Sequence, residues 1–168
     1  MSEFRALLEE LGYRKVRMVL NSGNAVFTAR AGAARVHADR IRDELNARLG
    51  VDVPVIVKSA VEWAAIEAEN ALAARAVDAS RLLIAFAADA EALAATIAPI
   101  GSLVESPESW HFGAYAAYLW CPSGSLQSNA GVALLGKQAR AATTRNWATV
   151  VKIGALLRMP NRPVRHPG

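Results

Sequence analysis

The sequence has few of the residues on which metal sites and common catalytic sets depend. It contains one cysteine, Cys121, and its three histidines lie far apart in the chain: His37, His111 and His166. One cysteine excludes an internal disulfide, and these residues do not form a zinc-binding pattern. His37 lies in a charged helical stretch and is expected to face solvent. With no Gly-rich phosphate loop and no Ser-His-Asp spacing, the sequence indicates no metal site and no catalytic residue, and the cofactor stays unknown.

Long apolar runs are also missing. Hydrophobic residues make up 53% of the 168 residues, but many of them are alanine, and no run approaches the length of a membrane span. No basic and apolar leader precedes Phe4, so no secretory signal is expected. The composition therefore predicts a cytoplasmic protein that does not enter the membrane and that can bury a substantial core.

Acidic residues are absent from the last third of the chain, since no Asp or Glu follows Glu108. Residues 109–168 carry seven Lys or Arg residues, whereas residues 1–108 carry twelve against fifteen acids. Such asymmetry can mark a surface for an anionic small molecule or for nucleic acid. The alternative is that these well-separated bases are solvated on helix faces and in a basic tail.

The first half alternates helical and strand patterns. The polar turn at residues 21–24 contains Gly23, which can take the positive φ of a tight hairpin. Residues 53–58 are rich in β-branched side chains and predict a strand, and Ser59 is the expected cap of the next helix. The expected elements are helix 2–11, strands 16–20 and 25–28, helix 33–49, strand 53–58 and a helix that carries Trp63 and Ile66.

The second half repeats this plan, with Asp89 as an expected N-cap. The expected elements are strand 81–86, helix 89–97, hairpin strands 107–111 and 115–121, helix 128–140 and a final helix 146–159 with Trp147, Val150 and Val151 buried. Hairpins mixed with helices predict an α+β fold with antiparallel sheets rather than a parallel doubly wound sheet. The alanine-rich stretch 70–80 marks the expected boundary between a domain at 1–70 and a second domain at 71–168.

Aromatic side chains bracket the hairpin of the second half. Strand alternation places Tyr118 and Trp120 on one face and Tyr115 on the other. An exposed aromatic face beside basic residues would stack nucleic-acid bases. Because helices are available to cover that face, core packing is the favoured interpretation.

The most informative stretch is the polar segment 141–150, which the sequence pattern places at the start of the last helix. The residues in or beside its first turn would be Thr143, Thr144, Arg145 and Asn146. The free N–H groups of a first turn, together with a guanidinium, suit a phosphate or a carboxylate. The open alternative is that Thr144 is an ordinary N-cap and that Arg145 is an internal hydrogen-bond donor.

Two other turns carry candidate ligand-binding residues. Ser22 and Asn24 place polar side chains on both sides of Gly23 and would form a polar turn that closes over a ligand. The turn at 123–128, which ends in Ser128, would form a second anion nest. Both turns also have a purely structural interpretation, because Asn, Ser and Gly are ordinary turn residues.

Several segments together resemble one bacterial family. They are residues 5–12, residues 20–27, the turn 122–125, Ser128 and residues 142–150 with their Thr-Arg-Asn-Trp motif. Over nearly its whole length the chain resembles the bacterial family catalogued as domain of unknown function 1697. The resemblance implies an α+β fold with two ferredoxin-like (βαββαβ-type) subdomains, and it implies no established activity.

The chain departs from that family in two places. The family usually has a strand and a Gly-rich loop before the first helix, so the resemblance implies that the first subdomain lacks its opening strand here. The sheet would then keep an unpaired edge, which another segment or another chain would fill. The family also tends to place a lysine where this chain has Asn129, so any ligand contact of that lysine is lost.

Three functions remain open. The favoured one is non-catalytic binding of an anionic ligand, a phosphorylated small molecule or nucleic acid, near the start of the last helix. The second is an enzyme whose pocket lies between the subdomains and is assembled from Ser22, Asn24, Arg145 and Asn146. The third is a structural role in which self-association into a homo-oligomer completes the open sheet.

Overall fold

The computed structural model describes residues 2–21 and 23–159, which contain six α-helices and six strands. The helices are α1 Ser2–Glu10, α2 Ala34–Leu49, α3 Ala60–Ala68, α4 Ala90–Thr96, α5 Asn129–Leu135 and α6 Trp147–Arg158. The strands are β1 Arg14–Val19, β2 Asn24–Thr28, β3 Leu82–Ala87, β4 Ser109–Phe112, β5 Ala117–Trp120 and β6 Ala142–Asn146. Within these residues no helix has the length and apolarity that crossing a membrane requires.

The N-terminal sheet consists of β1 and β2, which pair antiparallel. Gly23 has a φ of 73° in the turn that joins them, as the sequence predicts. The helices α1 and α2 are apolar on one side, and that side packs on one face of the sheet. The buried residues there form the N-terminal cluster, which contains Leu7, Leu8, Tyr13, Val16, Ile41 and Leu45.

The predicted strand at residues 53–58 is wrong, because this segment has no regular secondary structure. Its side chains still alternate as they do in a strand: Val55 and Val57 pack on the N-terminal cluster, and Ile56 packs on the opposite side. A strand also needs a hydrogen-bonded neighbour. The backbone of this segment bonds to no other backbone group of the described residues. The sequence pattern therefore specifies the extended shape but not a partner.

The second sheet has four antiparallel strands in the order β4–β5–β3–β6. Along the chain its elements follow the connectivity β3–α4–β4–β5–α5–β6. The central strand β3 is buried at all six residues, as its uninterrupted apolar sequence predicts. The helices α4 and α5 cover one face of this sheet.

The other face of the four-stranded sheet packs against α3, α6 and the β1–β2 hairpin. Val19 and Val26 of the hairpin belong to the same buried cluster as Trp63 of α3 and Val150 of α6. The indole Nε1 of Trp63 donates to the carbonyl of Val150 at 3.2 Å. This central cluster joins the two sheets in one core.

The predicted α+β class, with antiparallel sheets packed by helices, is confirmed. The name ferredoxin-like stays a prediction, because the N-terminal sheet has two strands within the described residues. The boundary between residues 1–70 and 71–168 also stays a prediction. The central cluster contains side chains from both ranges.

The last helix begins at Trp147, one residue later than predicted, but the polar residues predicted in its first turn lie outside it. Residues 142–146 are not a helical turn but strand β6, which pairs antiparallel with β3. Two adjacent threonines favour a strand, and the ladder to β3 outweighs the helical pattern. Val150 is buried as predicted, whereas Val151 is 41% exposed.

The helix predicted at 128–140 is shorter than expected. Helix α5 ends at Leu135, and a 3₁₀ turn follows at Lys137–Ala139. Gly136 lies between the two, and a glycine weakens a helix because it adds backbone freedom without a side chain.

The aromatic hairpin is part of the core, as predicted. Tyr118 is fully buried and packs in the central cluster, and Trp120 packs against the same cluster. Ala117 and Leu119 face the opposite side of the sheet, as strand alternation requires. The second hairpin therefore offers no broad aromatic face for base stacking.

Candidate functional site

Strand alternation divides the polar residues of β6 between the two faces of the sheet. In the ladder with β3, Arg145 is opposite Ile84 and Thr143 is opposite Phe86. Both β3 residues belong to the central cluster. Arg145 and Thr143 therefore lie on the face that meets the N-terminal hairpin, and Thr144 lies on the other face.

Arg145 is half-buried and holds three hydrogen bonds. Its Nε donates to Oδ1 of Asn24 at 2.6 Å, and its Nη1 donates to Oγ1 of Thr143 at 2.7 Å and to the carbonyl of Thr144 at 2.9 Å. A guanidinium has five N–H donors, and Nη2 bonds to no described residue. Burial lowers the pKa of Arg145 below its ordinary value, yet the group stays charged at neutral pH. Within the described residues no carboxylate pairs with this charge.

Three other predicted site residues, Thr144, Asn146 and Ser128, make hydrogen bonds within the fold. Thr144 is not an N-cap, since its Oγ1 donates to the carbonyl of Leu134 at 3.1 Å. The N-cap of α6 is Asn146, whose Oδ1 accepts from the backbone N–H of Thr149 at 2.9 Å. Ser128 caps α5 in the same way, and Ser22 lies outside the described residues. The structure thus brings together Asn24, Thr143 and Arg145 of the predicted set.

Next to Arg145 lies a cavity of about 610 Å³, which we call the Arg145 cavity. Residues 24–27 of β2 and residues 53–59 line it, together with Thr143 and Arg145. Ile41 and Leu45 of α2 contribute to its apolar lining on one side, and Trp63 of α3 contributes on the other. Sequence reasoning missed this cavity, because its walls come from segments that are distant along the chain.

The charged lining of the Arg145 cavity is entirely cationic. Arg30, Lys58 and Arg145 line it, and none of the described Asp and Glu residues does. The Nζ of Lys58 lies 3.7 Å from a carboxylate oxygen of Glu62 and donates to the carbonyl of Ala88 at 3.3 Å, so its charge is partly compensated. Neither Arg30 nor Arg145 pairs with a described carboxylate. Arg30 is exposed to solvent, whereas Arg145 is half-buried, so water screens the charge of Arg145 less and makes it the strongest attraction for an anion in the cavity.

His37 also lines the cavity, contrary to the expectation that it faces solvent. Its Nδ1 lies 3.0 Å from the hydroxyl of Tyr13. Its Nε2 is buried and has no hydrogen-bond partner in the described part of the chain. If Tyr13 donates its proton to Nδ1, then Nε2 carries the ring proton and is an unused donor.

A family described as "Protein of unknown function (DUF1697)" matches residues 1–118. The chain belongs to the DUF1697 family. Among solved structures it is similar to the conserved bacterial protein SP0830 from Streptococcus pneumoniae, with 27% sequence identity and a TM-score of 0.71. That match covers 94% of this chain and 88% of the other chain. No curated protein matches. The family and its solved relative confirm the predicted resemblance and bring no assigned activity.

The described part of this DUF1697 protein contains no cluster of three metal-ligating side chains. Cys121 is buried, and burial raises the pKa of its thiol, so it is a poor nucleophile. The arrangement around the Arg145 cavity offers hydrogen-bond donors and positive charge rather than a nucleophile with an adjacent base. It is suited to binding.

Proposed function

We propose that this protein binds an anionic organic ligand with an apolar body in the Arg145 cavity, and that Arg145 holds the acidic group. The observation that carries the proposal is a half-buried guanidinium that lines a cavity and has no carboxylate partner among the described residues. A buried charge is normally paired, because removing it from water is costly. An anionic ligand would supply the missing partner.

The cavity supports the rest of the proposal. Its volume lies within the range of small-molecule sites, about 300–1,000 Å³. Such sites combine apolar walls with a few convergent polar groups, and here Arg145 and Thr143 are those groups. Hydrogen bonds between Asn24, Thr143 and Arg145 fix the guanidinium before a ligand arrives, which lowers the entropy cost of binding.

Nucleic acid and catalysis receive less support. The aromatic residues of the second hairpin that would stack bases are largely packed in the core. A phosphorylated small molecule and a carboxylate both suit a guanidinium, but the many apolar residues of the lining favour a ligand with little polar surface beyond its acidic group. The cytoplasmic location and the homo-oligomer stay predictions from the sequence.

The test is a titration of amphipathic carboxylates and phosphate esters into the protein, after a thermal-shift screen. A ligand at 100 times its Kd should stabilise the fold by about 2.7 kcal/mol. Arg145→Gln should weaken binding by about tenfold or more, because hydrogen bonds to charged groups contribute about 1.5–3 kcal/mol.

Arg140→Gln is the matched control. Arg140 is exposed and does not line the cavity, and the substitution changes the net charge equally. It should leave the Kd unchanged. Equal affinity of a ligand for the wild-type protein and for Arg145→Gln would contradict the proposal.

A further inference from the structure

We infer that two copies of the protein pair through the outer edge of β4, so that their four-stranded sheets join across a two-fold axis beside His111. This inference goes beyond the proposed function and is independent of it, because β5 and β3 lie between β4 and β6, the strand that carries Arg145. It also differs from the self-association expected from the sequence, which would complete the N-terminal sheet.

The strand β4, Ser109–Phe112, lies at an edge of the four-stranded sheet and pairs with β5 on one side. Within the described residues no strand pairs with its other side. Edge strands of natural proteins commonly carry Lys, Pro or a β-bulge, which hinder pairing with another chain. The strand β4 contains neither Lys nor Pro, and its register with β5 is continuous. Its outer edge is therefore open to pairing.

The hydrogen bonds of the β4–β5 hairpin establish which backbone groups point outward. The N–H of Gly113 donates to the carbonyl of Ala116 at 2.8 Å, so these residues form a hydrogen-bonded pair. Such pairs alternate along an antiparallel ladder with pairs that are not hydrogen-bonded. His111 therefore bonds to β5, whereas the N–H and C=O groups of Trp110 and Phe112 point to the outer edge. In the described part of the chain these four groups have no hydrogen-bond partner.

The neighbouring residues favour one register for a symmetric antiparallel pair. On either side of the free groups, the N–H groups of Glu108 and Ala114 already donate to oxygens of their own copy. A register shifted by two residues in either direction would pair one of these occupied residues. The register that places Trp110 of each copy opposite Phe112 of the other uses all four free groups and keeps those bonds. The two-fold axis then passes beside His111.

In this register the aromatic side chains of the edge meet across the axis. Trp110 and Phe112 are opposite Leu119 and Ala117 of β5, and therefore lie on the face that α4 and α5 cover. Phe112 is 38% exposed. In the dimer it would pack beside Trp110 of the other copy, and the axis repeats this contact. Aromatic pairs on neighbouring strands stabilise a sheet.

Two charges on the other face of the sheet also match. The Nη1 of Arg75 donates to the hydroxyl of Ser109 at 3.3 Å, and the carboxylate of Glu69 lies on the side where Gly113 has no side chain. Among the described residues neither Arg75 nor Glu69 forms an ion pair. The register places Ser109 of one copy opposite Gly113 of the other. Arg75 of each copy therefore approaches Glu69 of the other copy.

These contacts favour a second copy over an unrelated strand as the partner. A two-fold interface requires a surface whose groups find their complements in the same surface. The outer edge of β4 meets this requirement in its backbone groups, in its aromatic side chains and in the charges of Arg75 and Glu69. An unrelated strand would bond to the backbone without matching the other two sets. The contact is small, so we expect a weak dimer.

Sedimentation velocity of the full chain, at about 10 μM to 1 mM, covers the Kd range that a small interface gives. Phe112→Glu places a charge on each side of the axis and should weaken the dimer by about tenfold or more. Val61→Glu is the matched control, because Val61 is 80% exposed in the first turn of α3 and does not belong to β4. It should sediment as the wild type does.

The charge match is tested separately at Arg75, which is exposed. Arg75→Glu should weaken the dimer by about tenfold, because it places like charges opposite each other at two symmetric positions. Arg75→Lys keeps the charge and should retain most of the affinity. Added salt should weaken the wild-type dimer, since it screens exposed charges.

A disulfide tests the register. His111→Cys places two thiols opposite each other beside the axis, at the Cβ separation of about 4.5–5.5 Å that directly opposite residues have. Mild oxidation should then link the two copies. Ser109→Cys is the control, because it lies on the same face but is opposite Gly113 of the other copy, and it should not form the link. The native Cys121 is buried and should not react.

Each result has a definite meaning once melting curves establish that the variants are folded. A dimer that weakens with Phe112→Glu and Arg75→Glu, but not with Val61→Glu, supports the inference. A monomer at every concentration overturns it, and so does a dimer that both edge variants leave unchanged. Equal disulfide formation by Ser109→Cys and His111→Cys refutes the register. If Phe112→Glu fails to fold, the exposed Arg75 variants decide.

Discussion

The side chain of Glu69, at the end of α3, forms hydrogen bonds with the turn between β4 and β5. Its carboxylate accepts from the backbone N–H groups of Ala114, Tyr115 and Ala116 at 2.9–3.0 Å. The hydroxyl of Tyr118 lies 2.9 Å from Oε1 of the same carboxylate and 2.7 Å from the carbonyl of Ile66. One carboxylate thus accepts hydrogen bonds from three backbone N–H groups in the turn between β4 and β5, and connects this turn to α3.

The neighbourhood of Tyr118 predicts a loss of stability at alkaline pH. Burial, followed by the hydrogen bond to Glu69 and its charge, raises the pKa of Tyr118 well above the ordinary 10.0. The unfolded chain therefore releases this proton at a lower pH than the folded protein does. The stabilisation is fully present below about pH 10 and falls as the pH rises above that value.

Urea unfolding of the wild-type protein and of Tyr118→Phe, at several pH values from about 8 to 11, measures this effect. The free energy of unfolding should fall more steeply with pH in the wild-type protein. The variant loses the hydroxyl hydrogen bonds at every pH, so the slope and not the offset is diagnostic. Parallel curves would show that Tyr118 does not couple folding to pH.

Among the elements, β6 and α6 follow each other without an intervening loop, and Asn146 both ends the strand and caps the helix. Its Oδ1 accepts from the N–H and from the Oγ1 of Thr149, both at 2.9 Å. Because Arg145 is its neighbour on the opposite face of the strand, capping and anion binding should be separable by substitution.

Asn146→Ala should destabilise the protein by about 1 kcal/mol, the usual effect of removing an N-cap. Asn146→Ser keeps a capping oxygen and should recover most of that loss. Neither variant should alter the affinity for a ligand of the Arg145 cavity, measured at a temperature where both are folded. A ligand affinity that falls with Asn146→Ala and returns with Asn146→Ser would show that the cap and the cavity are coupled.

The sequence predicts elements well where local chemistry decides them. Ser59 and Asp89 cap α3 and α4 as expected, and Gly23 forms the hairpin turn. Prediction from the sequence fails where pairing with a distant segment of the chain determines the secondary structure. The sequence of β6 predicts the start of a helix, but its pairing with β3 makes it a strand. The sequence of residues 53–58 predicts a strand, but no described strand lies beside them.

The candidate site could be predicted only in part for the same reason. The sequence marks Arg145, Thr143 and Asn24 as candidates because they are polar, and the structure brings them into one hydrogen-bonded group. Thr144 is a candidate on the same grounds, yet its side chain lies on the other face of the sheet, because its segment is a strand and not the helical turn that the sequence pattern predicts. The contribution of His37 to the cavity depends on Tyr13, which lies 24 positions away and gives no local signal.

At the scale of the whole molecule, the central cluster makes the two sheets dependent on each other. Trp63 is 6% exposed, and its ring lies edge-on to that of Phe86 with centroids 5.5 Å apart. Its indole N–H is held by the carbonyl of Val150. A residue of one predicted domain therefore supports the packing of the other.

We expect the described core to unfold in one cooperative transition. Trp63→Ala should destabilise it by about 3–5 kcal/mol, as large-to-small changes of buried aromatic residues do. Calorimetry should give equal calorimetric and van't Hoff enthalpies for the wild-type protein. Two separate transitions, with only one shifted by Trp63→Ala, would instead support independent domains at 1–70 and 71–168.

The pairing of Arg145 with Ile84 has a consequence for strand alignment. A slip of β6 by one residue along β3 would turn every side chain to the opposite face. Arg145 would then enter the apolar cluster beneath α4 and α5, where a charge without partners is strongly unfavourable. The charge of Arg145 therefore favours the observed register of β6, which is an edge strand of the sheet. Replacement of Arg145 by a neutral residue should make misaligned pairings of β6 easier during folding.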